Sequence, residues 1–287
     1  MEHPQADGSS IDTGRIMAVA LAQAGLSEVP ADSAVYIPGS GLRRALFGVD
    51  IDISDLLFAR SAGFDVVVAH HPLGGLPASP RFTEVMWGMV EHLTAEGVAE
   101  PTARSVVAAR VATVHRRRHV ANYNRVADTA RLIGLPLLNI HLPPDLVTRA
   151  HLETLIAAKL GPDASAADLL DLLGAIPEMQ GSIVKPEQWI GDGANSLGRV
   201  TVAMAGGTNG GYPVFRALYE VGVTTIVAMH IDEPDLVRLR AEAAPGWNLV
   251  ISGHMPSDSI GINRLIWGLE DIGLECTRCS GVIDVPR

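Results

Sequence analysis

The sequence predicts an α/β protein built as two related lobes, and three observations predict it. Helical periodicity alternates with short, continuously apolar runs such as Asp65-Val66-Val67-Val68-Ala69, the kind of run a strand buried on both faces of a sheet requires. This rhythm fills the first half of the chain and returns in the second, after a stretch punctuated by Pro177, Gly181 and Pro186. Glycine (29 residues) and proline (18) are plentiful, which suits many short connections, and with aromatics at only 5% the core must be built from Val, Leu, Ile and Ala.

Residues 1–12 are expected to be a flexible tail. A helix follows over 13–25, with Ile16, Val19 and Ala20 on one face and Gly25 as its stop. Short β-prone stretches lie at 33–37 and 45–49, and a helix over 55–62 ends at Gly63. The apolar run at 65–69 is a strand closed by His70-His71-Pro72. Residues 83–97 are helical. From 102 to 133 there is neither glycine nor proline, which gives one long helix, or two with a break near His119. Residues 135–141 form a strand, after which Pro143-Pro144 closes an N-terminal lobe over 13–144. A connecting helical segment covers 145–190, with helices at 150–160 and 166–173. The C-terminal lobe, 191–287, holds strands at 199–205, 224–229 and 249–251 and helices at 214–221, 234–244 and 259–272. No sequence repeat is strong enough to prove that one lobe duplicates the other.

The net charge of −10 disfavours a nucleic-acid partner, since binding that backbone requires clustered cations. The one basic run, His115-Arg116-Arg117-Arg118-His119, is short and isolated; it reads as a solvated helix face or a contact for an acidic partner. Two cysteines make no disulfide framework, so a reducing cytoplasm fits. The first ten residues lack the features of a signal peptide, and no apolar run reaches the roughly 18 residues of a membrane span.

Two places can carry chemistry. His70 and His71 directly follow a buried strand, where ligand groups of α/β proteins collect, and imidazole is a common metal ligand. The bland reading is one histidine bonded to backbone and one exposed. Gly253-His254-Met255-Pro256-Ser257-Asp258 also follows an apolar strand and opens a helix, so His254 and Asp258 can converge on a metal; alternatively, Ser257 or Asp258 caps that helix. Weaker candidates surround them. His115 and His119 share a helix face, with Asn122 close by. The loop carrying Gly206, Gly207 and Gly210 can approach an anion, although a tight turn explains it equally. His230 ends a strand. Cys276 and Cys279 form one CxxC, half of what a structural zinc site uses.

Taken together, Phe47-Gly48-Val49-Asp50-Ile51-Asp52, the strand running into His70-His71-Pro72, the glycine-rich turn at 206–211 and the Gly253–Asp258 motif resemble the Ngg-interacting-factor-three-like family, also labelled GTP cyclohydrolase I type 2-like. The resemblance spans roughly 33–140 and 196–283. It implies a three-layer α/β/α fold of two related lobes, a metal site between them, and toroidal hexamers. By that resemblance His70, His71, His254 and Asp258 are metal ligands, with Asp258 standing where the family has glutamate. The family's middle motif, His-Thr-Asn-Leu-Asp, falls by residue count on 115–119, which puts His119 in place of the aspartate. That exchange removes a negative charge and predicts one firmly held divalent ion and a weak or absent second, whether zinc, iron or manganese. The resemblance points to metal-dependent hydrolysis of a small nucleotide-like substrate. The alternatives are a non-catalytic metal-binding interaction or regulatory module, or a metal chaperone, and histidines that merely fix the lobes together.

Overall fold

The computed structural model describes residues 10–204 and 207–287, so most of the expected tail lies outside the described residues. Residues 10–12 are docked rather than loose: the Ile11 carbonyl accepts from the Leu42 N–H, and Asp12 caps the first helix by accepting from the Arg15 N–H. That helix, α1, spans Thr13–Ala24 and closes at Gly25. Then come β1 (Ala34–Ile37), β2 (Arg44–Gly48), α2 (Ile53–Ser61) and β3 (Val66–Ala69). After α3 (Gly75–Ala78), the helix expected over 83–97 is divided between a 3-10 helix over Pro80–Trp87 and α4 (Gly88–Ala95). The long helical stretch breaks just after His119, into α5 (Glu100–His119) and α6 (Arg125–Ile133), and β4 (Leu137–Asn139) follows.

Pro143 and Pro144 do not close a lobe. They sit in the first turn of α7 (Leu142–Lys159), where a missing N–H costs nothing because that turn has no intrahelical acceptor for it. Beyond it lie α8 (Ala166–Gly174), α9 (Pro177–Gly181), β5 (Glu187–Ile190), β6 (Val200–Val202), α10 (Tyr212–Glu220), β7 (Thr225–Ala228), α11 (Glu233–Ala241), β8 (Asn248–Ile251), α12 (His254–Glu270) and β9 (Glu275–Cys279). No helix among the described residues is long and apolar enough to cross a membrane.

The strands form two mixed sheets, ordered β1-β4-β3-β2-β9 and β5-β8-β7-β6. Without β9 the two orders are the same: an antiparallel edge strand comes first in sequence, then three parallel strands in reverse spatial order. Both edge strands carry a register shift, at Val35/Ile37 and at Gln188/Ile190. The lobes therefore share a topology that the sequence alone does not prove.

Helices cover both faces of each sheet, as alternate strand residues show. Val66 and Val68 of β3 pack toward α1 and α12, while Val67 and Ala69 pack toward α2 and α6. In the second sheet Ile226 and Ala228 face α4, α5, α10 and α11, and Val227 faces α7 and α8. This is a three-layer α/β/α arrangement in each lobe. The unexpected element is β9, which crosses back from the C-terminal lobe and pairs with β2. Its two cysteines are three apart on a strand and so face opposite sides, Cys276 packing toward α12 and Cys279 toward α2. Burial pushes the Cys276 thiol up to about 12, and the CxxC is no dithiol pair.

Helix α12 joins the lobes, with Ile260 in the core of the second and Ile262, Leu265, Ile266 and Leu269 in that of the first. It lies against the start of α7. A Cβ on Gly261 would stand 2.1 Å from the Pro144 carbonyl oxygen, and Thr148 Oγ1 donates to the Ser257 carbonyl at 2.8 Å. Gly261→Ala is therefore expected to cost about 3 kcal/mol or more, read from denaturant unfolding; a change within 0.5 kcal/mol (roughly the scatter of surface substitutions) would show that the helices part easily. A second expectation concerns acid. His92 of α4 is buried against β6, its Nε2 donating to Thr201 Oγ1, which donates to Glu96. Burial, helped by Arg149, pushes His92 down to about 4. A ring that stays neutral when folded contributes full stability above its unfolded pKa, near 6.5, and loses it as pH falls toward 4. Between pH 7 and pH 4.5 that loss is expected to be about 2 kcal/mol in the wild type and to shrink in His92→Gln, measured by unfolding at the two pH values.

Candidate metal centre

The carboxyl ends of the parallel strands from both lobes meet at the crossing of α7 and α12. From the first lobe, β3 runs into His70 and His71, whose N–H groups continue the ladder to the Gly48 and Val49 carbonyls. The neighbouring strand, β4, leads to His141, and Asp145 lies one helical turn on in α7. From the second lobe, Gly253 turns the chain at φ 93, a conformation that a side chain would strain, and α12 begins at His254 with Asp258 one turn later. The two helix starts have the same spacing: His141-Leu142-Pro143-Pro144-Asp145 and His254-Met255-Pro256-Ser257-Asp258 both read His-x-Pro-x-Asp. In each, proline at the start of a helix sets the turn that stacks a carboxylate over a histidine.

These six side chains converge. His70 Nε2 lies 3.3 Å from Asp145 Oδ1 and 3.7 Å from Asp258 Oδ1. His71 Nε2 and His254 Nε2 lie 3.6 and 3.3 Å from Asp258 Oδ2, and His141 Nε2 lies 3.9 Å from Asp145 Oδ2. An outer ring of acceptors fixes three of the imidazoles. His70 Nδ1 meets the Ile140 carbonyl at 3.1 Å, His71 Nδ1 meets Asp50 at 2.7 Å and His141 Nδ1 meets Asp32 at 2.7 Å. Carbonyls and carboxylates only accept, so each Nδ1 carries the hydrogen, and the Nε2 of the neutral ring turns a lone pair inward. Asn139 holds this outer ring in place, donating to the Asp32 and His70 carbonyls.

Three buried atoms aimed into this space, His70 Nε2, Asp145 Oδ1 and Asp258 Oδ2, have no hydrogen-bond partner among the described residues. Ligand atoms within 4.8 Å of one another form three overlapping sets: His70, His71 and His141; His71, His254 and Asp258; His70, Asp145 and Asp258. Four of these residues, His141, Asp145, His254 and Asp258, border a cavity of about 40 Å³. The charges agree with a cation site. Burial pushes the His70 ring down, but Asp258 and Asp145 outweigh it and hold its pKa well above the usual histidine range. Burial pushes Asp258 up, and His70, His254 and His71 overcome it to hold the carboxyl at about 2. His71 and His254 are pushed down chiefly by burial and favour the neutral form that a metal needs. A proton between two buried carboxylates marks where positive charge is best stabilised.

The structure thus brings together His70, His71, His254 and Asp258. Asp258 is buried and does not cap α12, whose N-cap is Gly253. His119 is not among them. It sits with His115 on the exposed last turns of α5, and Asn122 is exposed in the break beyond, its side chain accepting from the Asn124 N–H. Counting residues misplaced the middle motif, whose His-x-x-x-Asp spacing stands instead at His141 and Asp145. The argument for a weak second ion loses its premise, because Asp145 restores the carboxylate. Of the basic run, Arg118 turns inward, its guanidinium 3.7 Å from the centre of the Phe82 ring. Gly207 borders the cavity: a Cβ there would stand 3.2 Å from Asp32 Oδ2 and 3.3 Å from His141 Cε1. Gly210 lies off the cluster, where it shapes the start of α10, and Gly206 lies outside the described residues. His230, after β7, packs its ring against that of His254, with centroids 4.8 Å apart and planes tilted by 53°. Sequence reasoning missed His141, Asp145, Asp32 and Asp50; the repeated His-x-Pro-x-Asp spacing was the signal available for the first two.

No protein-family model matches the chain, and no curated protein does. Among solved structures it is similar to a NIF3 superfamily protein from Sphaerobacter thermophilus, with 37% identity, a TM-score of 0.89 and coverage of 95% of this chain and 99% of that one. It shares its fold with reduced HcgD from Methanocaldococcus jannaschii (10% identity, TM-score 0.56, 96% of this chain and 99% of that one) and with a Bacillus cereus protein related to NIF3 (9%, 0.53, 98% and 99%).

The geometry separates Asp145 from His119 by experiment. Asp145→Ala is expected to lower metal affinity by about 10-fold or more, and His119→Ala to leave it unchanged, both measured by competition with a chromophoric chelator. The reverse order would put the middle ligand back on α5.

Proposed function

The chain belongs to the NIF3 superfamily, and from that premise we propose that it is a divalent-metal-dependent hydrolase of a small, nucleotide-like substrate. The observation that carries this reading is the convergence of three unpartnered buried ligand atoms, His70 Nε2, Asp145 Oδ1 and Asp258 Oδ2, at the seam between the lobes. Four imidazoles and two carboxylates form a mixed nitrogen and oxygen set suited to zinc, iron or manganese. Each carboxylate spreads its oxygens over different histidines: Asp258 has Oδ1 toward His70 and Oδ2 toward His71 and His254, and Asp145 has Oδ1 toward His70 and Oδ2 toward His141. Carboxylates so placed can be shared, and the site is proposed to hold two ions per chain.

A divalent ion there supplies Lewis acidity, which polarises a carbonyl or imine carbon and makes water a stronger acid. The chain's own residues supply the rest. Asp50, Asp32 and the Ile140 carbonyl lock three rings so that their Nε2 atoms point at the centre without reorganisation. Gly207 leaves the cavity open on one side, where a larger residue would press on Asp32 and His141. Burial of Asp258 and His70 keeps bulk water from screening the charges.

Elemental analysis of untagged protein tests the reading together with turnover of GTP and of its nucleoside. The wild type is expected to hold about two ions per chain. His70→Ala combined with His254→Ala is expected to hold none and to lose turnover by on the order of 100-fold or more. Metal without any turnover would leave a non-catalytic metal-binding module as the reading. Protein that stays metal-free in excess zinc, iron and manganese would defeat both.

A further inference from the structure

A second cavity, of about 620 Å³, opens beside the metal centre and shares Met229, His230 and His254 with it. Its remaining walls are apolar apart from Ser182. Ile183 and Val184 come from the link between α9 and β5, Trp189 from β5, Met255 from the first turn of α12, and Val282 and Ile283 from the chain beyond β9. Among the described residues no Lys, Arg, Asp or Glu lines it. The volume falls in the range of small-molecule sites, roughly 300–1,000 Å³. Ile183 is fully exposed and Val184 is 59% exposed, so two branched apolar side chains stand at the rim with nothing covering them.

His230 at the junction differs from the imidazoles of the centre. Asn209 Oδ1 accepts from the Gly211 N–H, which fixes the amide and turns its Nδ2 toward His230, where it meets the ring Nδ1 at 3.3 Å and the backbone carbonyl. The ring Nδ1 is therefore an acceptor, and the hydrogen of the neutral ring sits on Nε2. His70, His71 and His141 carry theirs on Nδ1. Whereas those three present lone pairs, His230 presents a donor.

We propose that this groove is the substrate pocket, and that it takes an uncharged, planar, apolar group, aromatic or heterocyclic, whose hydrogen-bond acceptor meets His230 Nε2–H. No cationic side chain among the described residues lines the groove to pair with an anionic group, whose burial against these walls is costly, whereas an apolar ring gains by covering Ile183, Val184 and Trp189. That the bond to be cleaved then lies at the metal centre rests on the hydrolase reading; binding of the ring does not. Of a nucleotide-like substrate, the groove takes the heterocycle and leaves phosphates outside.

The test uses two dyes with nearly the same ring system: uncharged N-phenyl-1-naphthylamine, and 8-anilinonaphthalene-1-sulfonate, which adds one negative charge. Both are titrated into the full chain by fluorescence, with and without metal. The expected result is saturable binding of the neutral dye at one per chain, within about twofold with or without metal, and at least tenfold weaker binding of the sulfonate. Val184→Glu, a change on the exposed rim, is expected to weaken the neutral dye at least tenfold, and Val184→Leu to preserve it. The proposal is overturned by the absence of saturable binding, by Val184→Glu binding as tightly as the wild type, or by the sulfonate binding as well as the neutral dye. It is also overturned if the dye is excluded and Val184→Glu lowers the mass of the assembly in solution, which would make the groove a contact between copies. Dye binding that persists while no substrate turns over would sink the hydrolase reading and leave the pocket standing.

Discussion

The site depends on one close approach, that of the first turn of α12 to the first turn of α7. Two helices rarely come close enough for a backbone carbonyl to occupy the place of a missing Cβ, and here Gly261 permits it at Pro144. The contact sets Asp145 of one helix against Asp258 of the other, one carboxylate from each lobe. Burying two carboxylates together is unfavourable unless something positive stands between them. In the chain by itself that is a proton shared with His70, and the inward lone pairs of His71 and His141 beside it are the kind of donors that could also hold a metal cation. Packing and electrostatics are coupled: the helices cannot separate without exposing the cluster, and the cluster is strained unless it is neutralised.

The common topology of the two sheets explains where this happens. Parallel strands deliver their carboxyl ends to the same edge, and the loops leaving them are where α/β proteins place ligands. Each lobe contributes a helix that starts His-x-Pro-x-Asp after its last parallel strand. The preceding strands differ: β3 leads to His70-His71, and β7 leads to Met229-His230. The first lobe thus supplies most of the ligand atoms, together with Asp32 and Asp50 that lock them. The second supplies an apolar wall and an imidazole of the opposite tautomer, so one shared topology carries the candidate ligands on one side and the groove on the other.

Much of this was legible in the sequence, for physical reasons that differ by element. Val66–Ala69 reads as a buried strand because nothing else tolerates such a run, and its two terminal histidines therefore stood out. The fold class follows from the repeated alternation. Three features were not legible. Pro143-Pro144 reads as a break, although proline is equally at home in a helix's first turn, and that misreading hid both His141 and Asp145. The strand β9 carries Glu275 and Arg278 and so lacks an apolar run; it exists because the exposed edge of β2 needs a partner. His119 attracted attention through its spacing from His115, yet spacing places residues on a helix face without saying whether that face is buried, and here it is solvated.

The donor set has a direct consequence for selectivity between ligands. With Nδ1 of His70, His71 and His141 each held by an acceptor, rotating any ring away from the centre would break a buried hydrogen bond as well as vacate a ligand position. The candidate metal face is therefore held in one arrangement, with its ring nitrogens turned to the centre. The groove face is largely apolar among the described residues, with His230 and His254 at its junction with the centre, so it suits rings that bring no charge. A charged centre beside an uncharged groove favours molecules that are polar at one atom and apolar elsewhere, and that combination follows from two lobes of the same topology whose strand ends carry different residues.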